Sequence, residues 1–480
     1  MLADGESGKS FFPIDKLDQR QLSVIMFSLF SSWQLAFLFE GQVLYALASS
    51  FGIDARNLIF GAIAALLAGL SFWGFIIKTS QAAKWLMLFS FAFFIPATGV
   101  FFFYPSILWQ AALFFSSFLA GGCVAVWGFF YKSCTPPHER LKTAAEVLIY
   151  SNMLMIFINM TAIHLSLYSG LSLSMLMLGG ALLLAFQLPA DDRVTPPGKA
   201  KMAVSVAKPL ALLCLFITVI TINSGLMYQV INPAFAHHRW LVSWYWAVPY
   251  IVALYVMKNL RRQANRTYIL YVAIAMIGFA FISFMTVDRS TGSYLLVNTL
   301  MLGACGIYDL FWWSILGEML DFAQNPAKIF GVGLSANVLG VLLGGLIGNA
   351  ITVSALPSHN SSALALAVVC VTLVILPPLH KHLSVLLKDH AYLTVLPEMP
   401  SEPQSSMANS NVLLGRLTDR EKEIAALLLQ GKTYRIIAGE LALSENTVKT
   451  HIKNIYAKYE IQSRAQLIKL MLEDQYPAQK

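Results

Sequence analysis

Charge is scarce in this chain. Asp, Glu, Lys and Arg make up 12% of its 480 residues against 57% hydrophobic residues, and the mean hydropathy is +0.64. A soluble globule carries roughly 25% charged residues, so a wholly water-soluble chain is excluded and most of it is expected in lipid. Cysteine is sparse too. Cys123, Cys134, Cys214, Cys305 and Cys370 stand singly, without a C-x-x-C pair, and read as small core residues rather than as a metal or redox centre. Nucleophile elbow, zinc-ligand spacing and phosphate loop are missing as well. The run Gly5-Glu6-Ser7-Gly8-Lys9-Ser10 lacks the Walker spacing. Neither catalysis, nor a cofactor, nor a bound metal is expected. Met1 to Arg20 is polar and lacks the layout of a cleaved signal peptide, which leaves the apolar spans themselves as insertion signals.

Long apolar runs are what the chain has in abundance. A bilayer core needs about 20 apolar residues in a helix, and such windows recur from Gln21 to about Leu379. A first set of six reads Leu22 to Ser49, Leu58 to Ile77, Trp85 to Tyr104, Ile107 to Tyr131, Ala144 to Ser166 and Leu171 to Leu188. The polar stretch 189–208 forms a central loop. A second six follows, at Pro209 to Ile231, Trp240 to Met257, Tyr268 to Val287, Tyr294 to Leu320, Phe330 to Thr352 and Ser362 to Leu379. The expected fold class is all-α: a polytopic bundle of about 12 spans, arranged 6+6, followed by a small four-helix domain.

A net charge of +8 fits nucleic-acid binding and polytopic membrane proteins alike, so position is more informative than total. The even loops hold Lys78 and Lys84, then Lys132, Arg140 and Lys142, then Arg193, Lys199, Lys201 and Lys208, then Lys258, Arg261, Arg262 and Arg266, and finally Lys328. The odd loops hold Arg56, Arg239 and Arg289. Basic loops face the cytoplasm, so both termini are expected there, with the chain multi-pass in a bacterial inner membrane. The domains then read 1–20, a cytoplasmic tail; 21–380, the membrane domain; 381–415, a juxtamembrane segment and linker; and 416–480, a terminal domain. Pro397, Pro400 and Pro403 among Ser, Asn and Gln mark the linker.

The terminal domain has helix signals throughout. Thr418 with Glu421 forms a capping box, and Ile424, Ala425, Leu427 and Leu428 follow at helical spacing. Gly431 ends that helix. A second, from about Tyr434 to Leu441, offers Ile436, Ile437, Ala438 and Leu441 to the core. Ser444 caps a third whose Val448, Ile452, Ile455 and Tyr456 face inward, leaving Lys449, Thr450, His451, Lys453 and Asn454 outside. A supported helix with cations, hydroxyls and amides near its N-terminus has the form that enters a major groove. A fourth is expected from about Ser463 to Glu473.

The runs Leu417-Thr418-Asp419-Arg420-Glu421-Lys422-Glu423-Ile424, Ile437-Ala438, Leu443 to Ile452 and Ser463-Arg464-Ala465-Gln466-Leu467 resemble the LuxR family signature over about sixty residues. The resemblance implies a helix-turn-helix transcription regulator that binds double-stranded promoter DNA. It lays Lys449, Thr450, His451 and Lys453 along the groove, with Thr433 and Thr447 supporting phosphate contacts. It also implies a homodimer through the fourth helix, where Ile468 and Leu472 are shared between protomers. The cations would lend salt-dependent affinity, while Thr450 and His451 discriminate base edges.

Two sets of six spans resemble the major-facilitator layout, in which two halves enclose a midplane cavity. The basic motif usual between spans two and three of that family is absent from Ile77 to Lys84, which puts active transport in doubt. Ionisable residues within spans point to function, here Glu40, Asp309 and Glu318. Trp240, Trp244, Tyr245, Trp246 and Tyr250, with Trp312 and Trp313, are candidates to stack on an aromatic ligand, against the alternative of interfacial belts and packing. Gly331, Gly333, Gly340, Gly344, Gly345 and Gly348 in span eleven mark close helix contacts. The expected function is a one-component regulator that senses a small molecule in its membrane domain. The alternatives are a transporter that reports its flux to DNA and a membrane tether controlled by a partner protein.

Overall fold

The computed structural model describes residues 18–39, 41–189, 206–260, 266–354, 358–387, 392–393, 417–429, 432–459, 461 and 466–467. Every regular element among them is a helix. They divide into two units, Met1–Leu396 and Pro397–Lys480.

Among the described residues, twelve helices of the first unit are long and apolar enough to cross a bilayer. The first six are α1 (Gln19–Ser50), α2 (Arg56–Ile76), α3 (Ser80–Phe102), α4 (Ile107–Cys134), α5 (Pro137–His164) and α6 (Leu167–Ala185). The second six are α7 (Ala207–Ala234), α8 (Arg239–Asn259), α9 (Tyr268–Thr286), α10 (Thr291–Phe322), α11 (Pro326–Val353) and α12 (Ser361–Leu386). The number is the one that hydropathy predicts, and the ends differ by a few residues. The largest differences are the end of α12, at Leu386 rather than Leu379, and the start of α5, at Pro137 rather than Ala144. Arg140 and Glu146 do not end the helix because both are paired inside the bundle, as described below. Large apolar side chains such as Phe72, Phe89, Phe115, Phe157, Leu183 and Phe279 point outward, as a lipid-facing surface requires.

Helix contacts within the bundle depend on missing side chains. A Cβ on Gly344 would lie 2.1 Å from the Ile222 carbonyl oxygen, and one on Gly225 would lie 2.3 Å from that of Val341, so α7 and α11 touch backbone to backbone. Between the halves, a Cβ on Gly331 of α11 would lie 2.5 Å from the Leu70 oxygen of α2. The helices that open the two halves share an irregularity. A π-helical turn occupies Gln34–Leu38 in α1, and another occupies Met227–Ile231 in α7. In α1 the chain is extended at Phe39 and the helix resumes at Gln42. Such turns free backbone groups, and in a membrane they are tolerated where they line a cavity.

The second unit holds α13 (Asp419–Leu429), α14 (Tyr434–Glu440) and α15 (Glu445–Lys458). Ile424, Ala425, Leu428, Ile437, Ala438, Val448, Ile452 and Ile455 form its core. Ile436 departs from expectation: it is 49% exposed, because the helical period that buries Ile437, Ala438 and half-buried Leu441 turns the preceding residue about 100° away. Of the fourth helix, Gln466 and Leu467 are described, both helical, with Leu467 in the core.

Candidate DNA-binding face and ligand cavity

The capping box at the start of α13 forms reciprocally. The Thr418 N–H donates to Glu421 Oε2 at 2.8 Å, and the Glu421 N–H donates to Thr418 Oγ1 at 3.4 Å. Glu421 is only 4% exposed, yet stays charged because Lys458 Nζ, at the far end of α15, donates to the same oxygen. That ammonium first, and the Thr418 N–H second, hold the Glu421 carboxyl down at about 2. One ion pair thus ties the first helix to the last turn of the third. Between them Ala442 takes a left-handed turn with φ of 51°, and the Leu443 N–H donates to the Ala438 oxygen at 2.9 Å. Ser444 then caps α15, its Oγ accepting from the Thr447 N–H at 3.1 Å.

With Val448, Ile452 and Ile455 buried, Asn446, Lys449, Thr450 and Lys453 share the exposed side of α15. His451 is half-buried at its edge, while Thr433 and Thr447 are exposed at the N-terminal ends of α14 and α15. Lys449 pairs with Glu445 one turn back, at 3.2 Å. Lys453 makes no ion pair among the described residues. The face is therefore polar, cationic and carried on a helix braced by two others. Ile468 and Leu472 lie outside the described residues.

Within the bundle is a cavity of about 190 Å³. Its lining follows helical stripes: Phe27, Ser31 and Gln34 on α1; Val147, Leu148, Ser151 and Asn152 on α5; Trp246 and Tyr250 on α8; Leu302, Cys305, Asp309 and Trp313 on α10; Leu334, Asn337, Val338 and Val341 on α11. Both π-turns contribute, through Gln34, Leu35, Met227 and Tyr228. The Tyr250 hydroxyl donates to Asp309 Oδ2 at 2.6 Å. A second cavity, of about 950 Å³, carries Gln42, Arg56, Asn232, Arg239 and Asn349 and shares Tyr228 and Trp246 with the first.

The stripes decide which of the expected residues reach the cavity. Asp309 does, and Trp313 joins it one turn on. Trp312 is buried but stacks on Tyr308 (6.3 Å between ring centroids) and is not in the lining. Likewise Trp246 and Tyr250 line the wall, whereas Trp244 packs edge-on against Trp240 and Tyr245. Glu318 is half-buried nine residues beyond Asp309, about 13 Å along α10, and outside the lining. Glu40 lies outside the described residues.

At the end of the bundle where the basic loops gather, charges bridge the two halves. Arg140 of α5 donates through Nη2 to Asp321 at 2.7 Å and through Nη1 to the Gly317 oxygen at 2.9 Å, both at the end of α10. Glu146 of α5 binds Lys258 of α8 at 2.9 Å and Arg20 of α1 at 2.7 Å. Asn325 Nδ2 donates across to the Gly74 and Ile77 oxygens, each at 3.1 Å. Sequence reasoning missed this latch, since no spacing pairs residues more than a hundred positions apart. An aromatic column leads to it from the cavity. Phe27 stacks on Trp127 at 4.3 Å, Trp127 on Tyr131 at 4.7 Å, and the Tyr131 hydroxyl donates to the Arg140 oxygen at 2.6 Å.

A polytopic helical membrane protein that also carries a compact helix-turn-helix unit is the class these features define. Residues 416–471 match the family model "Bacterial regulatory proteins, luxR family". The chain is 46% identical over 52 residues to the spore germination protein GerE of Bacillus subtilis, covering 70% of that protein and 11% of this one. The chain belongs to the luxR family of bacterial regulatory proteins. It is 35% identical over 74 residues to the monoamine regulon transcriptional regulator of Klebsiella aerogenes and 30% identical over 89 residues to the transcriptional activator protein ExaE of Pseudomonas putida. These matches cover 15% and 18% of this chain, and 33% and 42% of the two regulators' own lengths. In fold, the chain is similar to the human organic anion transporter MFSD10 (TETRAN), at 14% identity and a TM-score of 0.58, over 75% of this chain and 99% of that one. A bacterial homologue of the iron transporter ferroportin in an outward-facing state gives 13% identity and a TM-score of 0.53, over 76% and 98%. The membrane unit therefore has the fold of a transporter.

Proposed function

We propose that this protein is a membrane-bound one-component transcription regulator rather than an enzyme. Its bundle senses a small molecule, and its terminal domain binds promoter DNA as a homodimer. Both termini lie in the cytoplasm of a bacterial cell whose inner membrane holds the bundle, an orientation supported by the crowding of Lys and Arg at one end. Lys449, Thr450, His451 and Lys453 lie along the groove, where the two lysines also neutralise flanking phosphates, and Thr433 and Thr447 support the backbone contacts. Ile468 and Leu472 are the proposed shared residues of the dimer. The observation that carries the reading is one of fusion: a luxR-family domain follows, in the same chain, a transporter-like bundle that encloses a carboxylate-bearing cavity above a charged latch.

Occupancy of the cavity biases the bundle between two arrangements, with the Arg140–Asp321 and Glu146–Lys258 pairs made in one of them. The DNA half is tested by chromatin capture of the full-length chain from cells. Discrete promoter peaks are expected, and Lys449→Ala with His451→Ala should lose them at unchanged membrane content. Peaks that persist in the double variant refute this half. A reporter driven by a captured promoter tests the sensing half. Arg140→Ala, which removes the Arg140–Asp321 link of the latch, should shift output at least several-fold, and identical output refutes control by the state of the bundle.

A further inference from the structure

The Asp309 carboxylate is placed as an anchor for which the protein supplies half the contacts. One oxygen accepts from Tyr250, while the other accepts no hydrogen bond among the described residues, and no basic side chain pairs with the group. A carboxylate inside a bundle is costly unless something neutralises it. The described lining contains no Lys, Arg or His to do so. Around it stand Phe27, Trp246, Tyr250 and Trp313, whose ring faces attract cations, with the amides of Gln34 and Asn152 as neutral hydrogen-bonding groups. The larger cavity adjoins the inner one, and Tyr228 and Trp246 line both. Of the larger cavity's two arginines, Arg56 is held by Asp54 at 2.7 Å, and neither Arg56 nor Arg239 lines the inner cavity.

We infer that the inner cavity takes a small organic ammonium ion with an aromatic or apolar body, its N–H groups on the free oxygen of Asp309 and its body against the surrounding rings. This deepens the sensor reading and rests on it. A carboxylate ligand is repelled by Asp309 and meets no counter-cation in the described lining of the inner cavity. A neutral isostere forfeits the charge-assisted hydrogen bond, which is roughly twice as strong as a neutral one.

The test uses the full-length chain in nanodiscs and a panel of probes of one shape and three charges. 2-Phenylethylammonium, 2-phenylethanol and 3-phenylpropanoate form the first set, with longer and shorter homologues of each. Binding is read from quenching of tryptophan fluorescence and from thermal stabilisation. The ammonium member of at least one set should bind at least about tenfold more tightly than its alcohol and its carboxylate, the size of one good charged contact. Asp309→Asn should reduce the ammonium ion to the level of the alcohol. Tyr250→Phe, which keeps the carboxylate, should retain the preference and shows that the pocket tolerates substitution. Equal or tighter binding of alcohol or carboxylate, a preference that survives Asp309→Asn, or no binding by any ammonium in the panel overturns the inference. DNA affinity is measured on the same samples. Ammonium binding that leaves DNA affinity unchanged refutes the sensor reading while supporting the assignment of the cavity.

Discussion

Lys453→Ala gives the cleanest test of the face on α15. Lys453 is exposed and makes no ion pair among the described residues, so its removal orphans no described acid, whereas removing Lys449 would take away the partner of Glu445 on the same face. Each lysine withdrawn from a phosphate lowers the slope of log K against log salt by about 0.9 on duplex DNA. With one copy bound, the wild-type loss of affinity between roughly 50 and 200 mM salt should exceed that of the variant by about 3.5-fold, and with two copies the slope changes by about 1.8 and the ratio reaches about 12-fold. The term is independent of sequence, so a random duplex suffices. Full-length protein in nanodiscs is titrated against labelled DNA by fluorescence anisotropy at four salt concentrations. Coincident slopes for wild type and variant would refute the placement of this face on the DNA backbone. A drop near 0.9 rather than 1.8 would refute pairing of two domains on one duplex while leaving the face in place.

Glu445→Gln should act in the opposite direction: it releases Lys449 and removes a negative charge from the same face, raising DNA affinity about threefold at low salt, with the gain fading as salt rises. A loss of affinity in anisotropy titrations would show that Glu445 is itself used in recognition. Glu421 should contribute to the pH dependence of the terminal domain's stability. Its folded carboxyl, held at about 2, lies below its unfolded value, so its contribution is complete above about pH 5 and is lost as pH falls toward 2. Glu421→Gln should cost about 1–3 kcal/mol at pH 7, less as Lys458 is screened by solvent, and the wild-type advantage should shrink across that window. A difference in thermal unfolding that does not change with pH contradicts the pairing.

The spans could be read in the sequence because the bilayer imposes one length on every crossing helix, and the terminal domain could be read because its signals are local. Thr418 with Glu421 and Ser444 with Thr447 are three residues apart and form the caps that their spacing predicts. What sequence could not give is pairing between helices and the rotation of each helix in a bundle apolar on every side. Hydropathy distinguishes neither Trp312 from Trp313 nor Trp244 from Trp246, and one member of each pair reaches the cavity. A stripe was nevertheless present. Cys305, Asp309 and Trp313 recur at four-residue steps, and the only acid among them marks the side that cannot face lipid. The π-turns at Gln34 and Met227 carry no proline or glycine within them, so composition offered no sign of either.

The position of α5 determines how the cavity can be coupled to the basic end. Val147, Leu148, Ser151 and Asn152 of this helix line the cavity, while its Arg140 and Glu146 hold α10 and α8 of the opposite half. Arg140 and Asn152 are twelve residues apart, about 18 Å along one helix, and no hinge residue intervenes. A ligand that shifts the cavity stretch of α5 must carry the latch with it. Breaking both pairs requires the ligand to prefer the released arrangement. Moving a 1:99 equilibrium to 99:1 takes about 5.5 kcal/mol of differential affinity, within the roughly 8 kcal/mol available to a micromolar ligand. The aromatic column reaches the same point from the other side, since Tyr131 holds the Arg140 carbonyl. On the proposed reading, ligand contact and latch are therefore two ends of one rigid element, and the signal that reaches the terminal domain is a change in the cytoplasmic end of the bundle rather than passage of the ligand through it.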